Sequence, residues 1–166
     1  MPVPTLRRLA ALALLASTAA AAALERVPAL DLDTARRMAG ACEALAQQKG
    51  WRMNIAVVDA GAHLLVFSRM DRAYLGSGEI AIRKAAFSAQ FPFTTRFAEE
   101  LAYGKPGQPP AVPGLAQTPG VVAFAGGLPV VAGGVQVGGI GVSGGSPDED
   151  EQCAAAGLAA VQPALK

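Results

Sequence analysis

The order of apolar and polar positions predicts a chain that alternates between helices and short strands. Apolar residues that recur every three or four positions indicate amphipathic helices, whereas β-branched runs indicate strands. Glycine pairs separate the later apolar runs and favour tight turns between them. These patterns predict a helix over Thr34–Lys49, strands over Asn54–Asp59 and His63–Met70, a helix from Gly76–Ser77 through Phe87, a short helix through Phe97 and Leu101, strands over Val121–Phe124, Leu128–Val131 and Val135–Val142, and a last helix from Ser146.

Capping residues predict where several helices begin and end. Asp31 or Asp33 is suited to cap the first helix, and Gly50 is suited to end it. The sequence Ser146–Pro147–Asp148–Glu149 predicts a capping box, in which the serine and the glutamate satisfy each other's backbone N–H groups. The acidic residues around it place negative charge at the positive end of the helix dipole, which stabilises the start of the helix. A row of adjacent acids on a helix does not converge on one point, so it does not predict a metal site.

The order of elements predicts an α+β domain built on a five-stranded antiparallel sheet. A chain of 166 residues, 52% hydrophobic and 16% charged, suits one such domain and is too apolar to be disordered. Its net charge of +1 argues against a nucleic-acid partner. Two cysteines and one histidine exclude a multi-cysteine cluster and a histidine-rich catalytic metal site.

The N-terminal region has the pattern of a secretory signal peptide. Arg7 and Arg8 precede an apolar run over Leu9–Ala16, and Ala21–Ala23 offers a small-residue cleavage site. The run is shorter than the ~20 apolar residues that a membrane span needs. We therefore expect cleavage before Leu24, a mature domain over residues 24–166 without a membrane span, and a periplasmic or secreted location. An uncleaved amphipathic helix is the alternative, but no polar stripe runs through this segment.

The glycine-rich stretch Gly133–Gly144 contains a fragment similar to a dinucleotide-binding motif. Such a motif lies between a strand and a helix of a parallel unit, whereas these glycines fall inside a predicted antiparallel strand. We expect them instead to let a ligand or another backbone approach the sheet closely. Ser143–Gly145, just before the last helix, offers backbone N–H groups to an anion. No sequence motif of a known catalytic class is present.

His63 is the only imidazole and lies beside the predicted hairpin turn. By strand alternation it shares a face with Leu65 and Phe67. Histidine at such a position is commonly a half-exposed polar residue, but a neutral imidazole is also a good iron ligand. Both interpretations remain open at this stage.

Two basic side chains are candidates for binding an anion. Arg69 has the forked guanidinium that suits carboxylates, although a surface ion pair with Asp71 is the simpler role. Lys84 lies on a helix whose small residues would let a ligand approach, although an Arg–Lys pair is usually a solvated face.

The chain resembles the GlcG/HbpS-like haem-binding family, which is related to the C-terminal domain of PduO-type corrinoid adenosyltransferases. The resemblance rests on four stretches in order, at Ile55–Asp71, Ser77–Phe91, Gly126–Val130 and Val137–Gly157. Together they span nearly the whole predicted mature chain. The sequence departs from the family pattern at Ala62, where a second glycine is usual, and around Ala73–Tyr74.

The resemblance implies a profilin-like fold with helices on both faces of the sheet, and a symmetric homo-oligomer. It also implies a haem or related tetrapyrrole ligand. Because the chain has no other imidazole, we expect His63 to be the axial iron ligand, with Thr94, Thr95 or Met70 as weaker oxygen or sulfur substitutes. Arg69 and Lys84 complete the expected cofactor-binding residues. A threonine at the start of a short helix is equally suited to capping it.

Three functions compete at this stage. The first, favoured by the resemblance, is an exported protein that buffers, senses or scavenges haem and is not an enzyme. The second is an enzyme or accessory factor that acts on a small carboxylate, held by Arg69 and Lys84. The third is a structural oligomer whose glycine-rich strands pack against neighbouring copies.

The two cysteines, Cys42 and Cys153, lie in the first and last predicted helices. The fold that the resemblance implies packs these helices on the same side of the sheet, and Gly157 would allow close approach. An exported protein would then carry a disulfide. Two buried free thiols are the alternative, and the sequence leaves both open.

Overall fold

The computed structural model describes residues 27–166. The predicted leader over residues 1–23, with Arg7 and Arg8, lies outside the described residues. No helix within the described range is long and apolar enough to cross a membrane. The elements in chain order are α1 (Leu32–Lys49), β1 (Asn54–Asp59), β2 (Leu64–Arg69), α2 (Ser77–Gln90), α3 (Thr95–Tyr103), β3 (Gly127–Ala132), β4 (Val135–Ser143) and α4 (Pro147–Ala159), with short 3-10 helices at Leu115–Gln117 and Gln162–Leu165.

The sheet is antiparallel throughout and has four strands in the order β2–β1–β4–β3. The prediction of a fifth strand at Val121–Phe124 is wrong. The segment is irregular, and its apolar residues instead line a cleft together with α2. A short apolar run has no periodicity that separates a strand from a packed loop. The chain joins the sheet only after Gly126, which has a φ of 122° and accepts a hydrogen bond from the backbone N–H of Val142.

Helices cover both faces of the sheet, as the resemblance implies. α1 and α4 pack against one face and against each other, and α2 packs across β1, β3 and β4 on the other. Between α1 and α4 lies a disulfide that joins Cys42 to Cys153, whose Cα atoms are 4.6 Å apart. Of the two alternatives for the cysteines, the disulfide is the one found. A Cβ at Gly157 would lie 2.7 Å from the Met38 carbonyl oxygen, so glycine permits this close helix pair.

Glycines of β4 let α2 lie directly on the sheet. A side chain at Gly139 would overlap the Ala85 carbonyl, and one at Gly141 would overlap the Ala81 carbonyl. The expected close approach of another backbone is therefore confirmed. This packing fixes the position of α2, and with it the position of Lys84.

The predicted helix caps are confirmed. The Asp31 side chain accepts a hydrogen bond from the Thr34 N–H, and Gly50 ends α1 in the left-handed conformation with a φ of 73°. Ser146 and Glu149 form a capping box at the start of α4. These signals involve only residues a few positions apart, so the sequence contains all the information they need.

Candidate functional site

The imidazole of His63 lies at the tip of the β1–β2 hairpin. The residue precedes β2 rather than opening it, and its side chain is 82% exposed. Its Nδ1 atom is 3.3 Å from Oδ1 of Asp59. The same carboxylate oxygen accepts the backbone N–H groups of Gly61 and His63 at 2.8 and 2.9 Å. These hydrogen bonds, chiefly that from the His63 N–H, lower the pKa of Asp59 below its usual 3.8.

The His63 ring lies close over Gly61 of the hairpin turn. A Cβ at Gly61 would lie 2.7 Å from the Nδ1 and Cε1 atoms of His63, so a side chain there would displace the exposed ring from this position. An imidazole whose Nδ1 faces a carboxylate presents its Nε2 outward as a metal ligand. In this structure Nδ1 is the ring nitrogen of His63 that lies beside a carboxylate, and the sequence gives no local sign that Asp59 is its neighbour.

The prediction that Leu65 and Phe67 share one strand face with His63 is wrong, because Leu65 and Phe67 lie on different faces. The pairing register of β1 and β2 shifts between Val57 and Val58, so Leu65 is skipped by a bulge. Leu65 packs against the core beneath α1 and α4, whereas the Phe67 ring faces Gly78 of α2. A bulge inserts one extra residue and reverses the alternation beyond it.

Exposed apolar side chains lie along β2 and the loop that follows it. We call this region the β2 surface, and its members are Leu64, Phe67, Tyr74 and Leu75, exposed by 48, 40, 73 and 78%. β2 is an edge strand of the sheet. Exposed apolar groups on a sheet edge are typical of an interface or a ligand surface.

Lys84 is fully buried and is held by groups of the protein itself. Its Nζ atom lies 2.8 Å from Oδ2 of Asp150, 3.0 Å from the Val142 carbonyl oxygen and 4.3 Å from the centre of the Phe124 ring. A Cβ at Gly126 would lie 2.7 Å from the same Nζ. Lys84 is therefore enclosed and does not reach a ligand in the way the carboxylate hypothesis requires.

Burial shifts the pKa values of both members of this ion pair. It lowers the pKa of Lys84 and raises the pKa of Asp150, because the loss of hydration of each charged form outweighs their mutual attraction. The sequence predicts for Asp150 only a role at the positive end of the helix dipole. The missed signal is its spacing: Asp150, Cys153 and Gly157 form one inward stripe of α4.

The two threonines act as structural groups. Thr94 caps α3 by accepting the Phe97 N–H at 3.1 Å. Thr95 is buried and accepts the Gly127 N–H at 2.8 Å, which ties α3 to the start of β3. Met70 is also occupied, because its sulfur accepts the Met53 N–H at 3.4 Å.

Arg69 lies in a polar cleft of about 490 Å³ beside α1, which we call the basic cleft. Two further arginines, Arg52 and Arg72, line it. The predicted ion pair of Arg69 with Asp71 is absent from residues 27–166 at a 4 Å limit, although Asp71 also lines the cleft. His63 and Arg69 stand at opposite ends of β2, whose six residues extend about 20 Å. The structure therefore does not bring the predicted site residues together.

A second cleft, of about 400 Å³, lies between α2 and the irregular segment after Gly120. We call it the apolar cleft. Ile80 and residues 121–124 form its walls, Tyr103 stands at its side, and Glu79 and Arg83 pair across 2.8 Å on its α2 side. The cleft is not predicted from the sequence, because the apolar pattern of Val121–Phe124 indicates a strand of the sheet.

Comparison with known proteins gives consistent matches over most of the chain. Residues 30–159 match the sequence model of a family described as haem degrading protein HbpS-like. A 15.0 kDa Citrobacter freundii protein from the dhaT–dhaS intergenic region is 31% identical over 134 residues, which cover 81% of this chain and 93% of that protein. The crystal structure of HbpS is similar with a TM-score of 0.73 at 38% identity, over 82% of this chain and 92% of that one. A crystal structure of a PduOC:haem complex also has a TM-score of 0.73, at 31% identity over 80% of this chain and 95% of that one.

Proposed function

The chain belongs to the HbpS-like family, and from this premise we propose that it binds haem with the His63 imidazole as the iron ligand. The observation that carries the proposal is the similarity, over 80% of this chain, to a PduOC chain solved as a haem complex. The description of the family, haem degrading protein HbpS-like, also names haem. The role that we propose is to hold haem for buffering, sensing or scavenging.

The hairpin tip supports His63 as the ligand. Its Nδ1 is turned toward the Asp59 carboxylate, which favours the tautomer with Nε2 free to bind iron. The other candidate ligands named from the sequence are engaged elsewhere, since Thr94 and Thr95 accept backbone N–H groups. Tyr103, at the apolar cleft, is the competing oxygen ligand because a tyrosine phenolate also binds haem iron.

The β2 surface supports a homo-oligomer in which a second copy covers the macrocycle. His63 is 82% exposed, so one chain by itself leaves the iron side of a haem open to water. Leu64 and Phe67 offer apolar contacts on the strand that follows His63, and burial of such side chains contributes roughly 25 cal/mol per Å². In this arrangement haem and a second chain would each bury part of the same surface.

The disulfide supports export. A bridge between Cys42 and Cys153 persists in an oxidising compartment and is rare in the cytosol. The positive and apolar pattern around Arg7, Arg8 and Leu9–Ala16 is typical of a secretory leader. We therefore propose a periplasmic or secreted location, tested by N-terminal sequencing of the exported protein, with Leu24 as the expected first residue.

Haemin titrations of three proteins test the ligand assignment. We expect His63→Ala to shift the Soret maximum and weaken binding, because the iron loses its imidazole. Tyr103→Phe is the matched control and removes only the competing oxygen, so we expect its spectrum to equal that of the wild type. An unchanged Soret maximum and affinity in His63→Ala, with a shift in Tyr103→Phe, would move the iron site to the apolar cleft.

A further inference from the structure

We propose that the basic cleft binds a small dicarboxylate that carries a hydroxyl or ammonium group, at a site separate from the proposed haem site. Its three guanidinium groups come from three segments: Arg52 precedes β1, Arg69 ends β2 and Arg72 follows in the next turn. A cleft of about 490 Å³ has ample room for such an anion. Forked guanidinium groups match the geometry of carboxylates.

The guanidinium groups of the cleft are available to a ligand. Within residues 27–166, no carboxylate lies within 4 Å of the basic nitrogens of Arg52, Arg69 or Arg72. Arg83 and Arg96 show the contrast, since each forms short ion pairs with acidic neighbours. Arg52 donates a 3.0 Å hydrogen bond to the Trp51 carbonyl oxygen. The cleft has three arginines against two carboxylates, Glu43 and Asp71, so a positive charge remains for an anion to share.

The backbone of Arg72 is strained in a way that supports a binding role. Its φ is 66°, and Ala62 is the other non-glycine residue with a positive φ among those described. The turn is fixed on either side by hydrogen bonds from the Met70 N–H to the Met53 carbonyl and from the Ala73 N–H to the Met70 carbonyl, both 3.1 Å. Glycine would adopt this conformation without strain. Backbone positions strained in this way concentrate at ligand sites.

The acidic residues of the cleft define the rest of the ligand. Glu43 and Asp71 also line it, and they would repel an anion that carries only negative oxygens. Oε2 of Glu43 accepts the Ser68 hydroxyl at 3.1 Å, whereas Asp71 has no ion pair within the described chain. A hydroxyl or ammonium group on the ligand would donate to Asp71 while the carboxylates meet the arginines. Two carboxylates and one donor therefore fit the cleft better than sulfate or phosphate does.

Thermal unfolding and calorimetric titration of the full chain, with four probes, test the proposal. L-Malate and L-aspartate carry the donor as a hydroxyl and an ammonium group, succinate lacks it, and sulfate is a plain dianion. We expect malate or aspartate to raise Tm in a saturable way, because a ligand that binds only the folded state stabilises it. Succinate and sulfate should bind about tenfold to a hundredfold more weakly, the effect of one or two lost charged hydrogen bonds.

Three variants locate the site. Arg69→Ala should remove the ligand-induced rise in Tm, and Arg36→Ala should retain it, because Arg36 is exposed on α1 outside the cleft. Arg72→Gly should remove the rise and also increase the Tm of the free protein, since it relieves the positive φ. If Arg72 had only a structural role, its replacement would not both remove the ligand-induced rise in Tm and raise the Tm of the free protein.

The proposal is overturned if none of the four probes binds saturably, if sulfate binds as well as malate and aspartate, or if Arg69→Ala binds like Arg36→Ala. Haemin titration of Arg69→Ala separates this outcome from the haem proposal. We expect its Soret band and affinity to equal those of the wild type, because Arg69 and His63 lie at opposite ends of β2.

Discussion

Removing the charge of Asp150 should expose how much the domain depends on its buried ion pair. Asp150→Asn keeps an oxygen to accept the Gly145 N–H, which Asp150 Oδ1 accepts at 3.0 Å in the wild type. It leaves the Lys84 ammonium with the Val142 carbonyl and the Phe124 ring as partners. Both charged side chains are almost fully buried, with 0 and 2% exposure, so water cannot replace the lost carboxylate.

The expected loss is several kcal/mol. At the observed 2.8 Å and an effective dielectric constant of about 20, the attraction between the two charges is about 6 kcal/mol. Dehydration offsets much of it, as the raised pKa of Asp150 and the lowered pKa of Lys84 indicate. Breaking a buried pair by removing one partner typically costs about 3–5 kcal/mol, and this is our estimate for Asp150→Asn. Lys84→Met combined with Asp150→Asn should recover most of that loss, leaving about 1 kcal/mol for the missing hydrogen bond to Val142.

Urea unfolding, followed by far-UV circular dichroism and by the single tryptophan, Trp51, measures these free energies. Lys84→Met alone adds a pH test, because it leaves the Asp150 carboxyl buried without its cation. A raised native pKa means that the neutral form is favoured in the fold. The stability of Lys84→Met should therefore fall, relative to the double variant, as pH rises through 3.8 toward the native pKa. A loss below about 1 kcal/mol for Asp150→Asn, or additive effects in the double variant, would refute the reasoning.

Three further changes have defined outcomes. Asp59→Asn should destabilise the hairpin at neutral pH. Because the native pKa of Asp59 is lowered, the stability advantage of the wild type over the variant should disappear in acid unfolding as pH falls below 3.8. A constant difference in stability down to about pH 2 would contradict this. Replacing Cys42 and Cys153 with alanine opens a loop of 111 residues. It should lower the unfolding free energy, measured by urea unfolding, by roughly 4–5 kcal/mol. A change below about 1 kcal/mol would show that the bridge contributes little. Gly141→Ala would overlap the Ala81 carbonyl and should lower stability in thermal unfolding by about 1–3 kcal/mol or more. Gly114→Ala is the control, because open space surrounds Gly114, and it should lower stability almost not at all. Equal Tm values for the two variants would contradict the close helix–sheet packing.

Local signals in the sequence predicted the elements well, because their causes lie within a few residues. Asp31, Gly50 and the Ser146–Glu149 capping box end or begin helices where expected. The glycines of β4 were equally informative. Each of these predictions needs only short-range hydrogen bonding or local steric restriction.

The errors arose where distant residues decide the structure. The bulge at Leu65 depends on how β2 pairs with β1, and it separates Leu65 from the face of Phe67. The irregular segment Val121–Phe124 is apolar because α2 lies beside it, not because it is a strand. Asp150 meets Lys84 across a sequence distance of 66 residues. No local pattern reveals that contact, and even the spacing of Asp150 with Cys153 and Gly157 indicates only that Asp150 faces the core.

Titration of the wild-type protein with haemin, followed by visible absorption, tests the central proposal most directly. The account predicts a Soret band that is shifted from that of free haemin and saturates as protein sites fill. A band that keeps the position of free haemin and grows linearly without saturation would contradict haem binding by this chain.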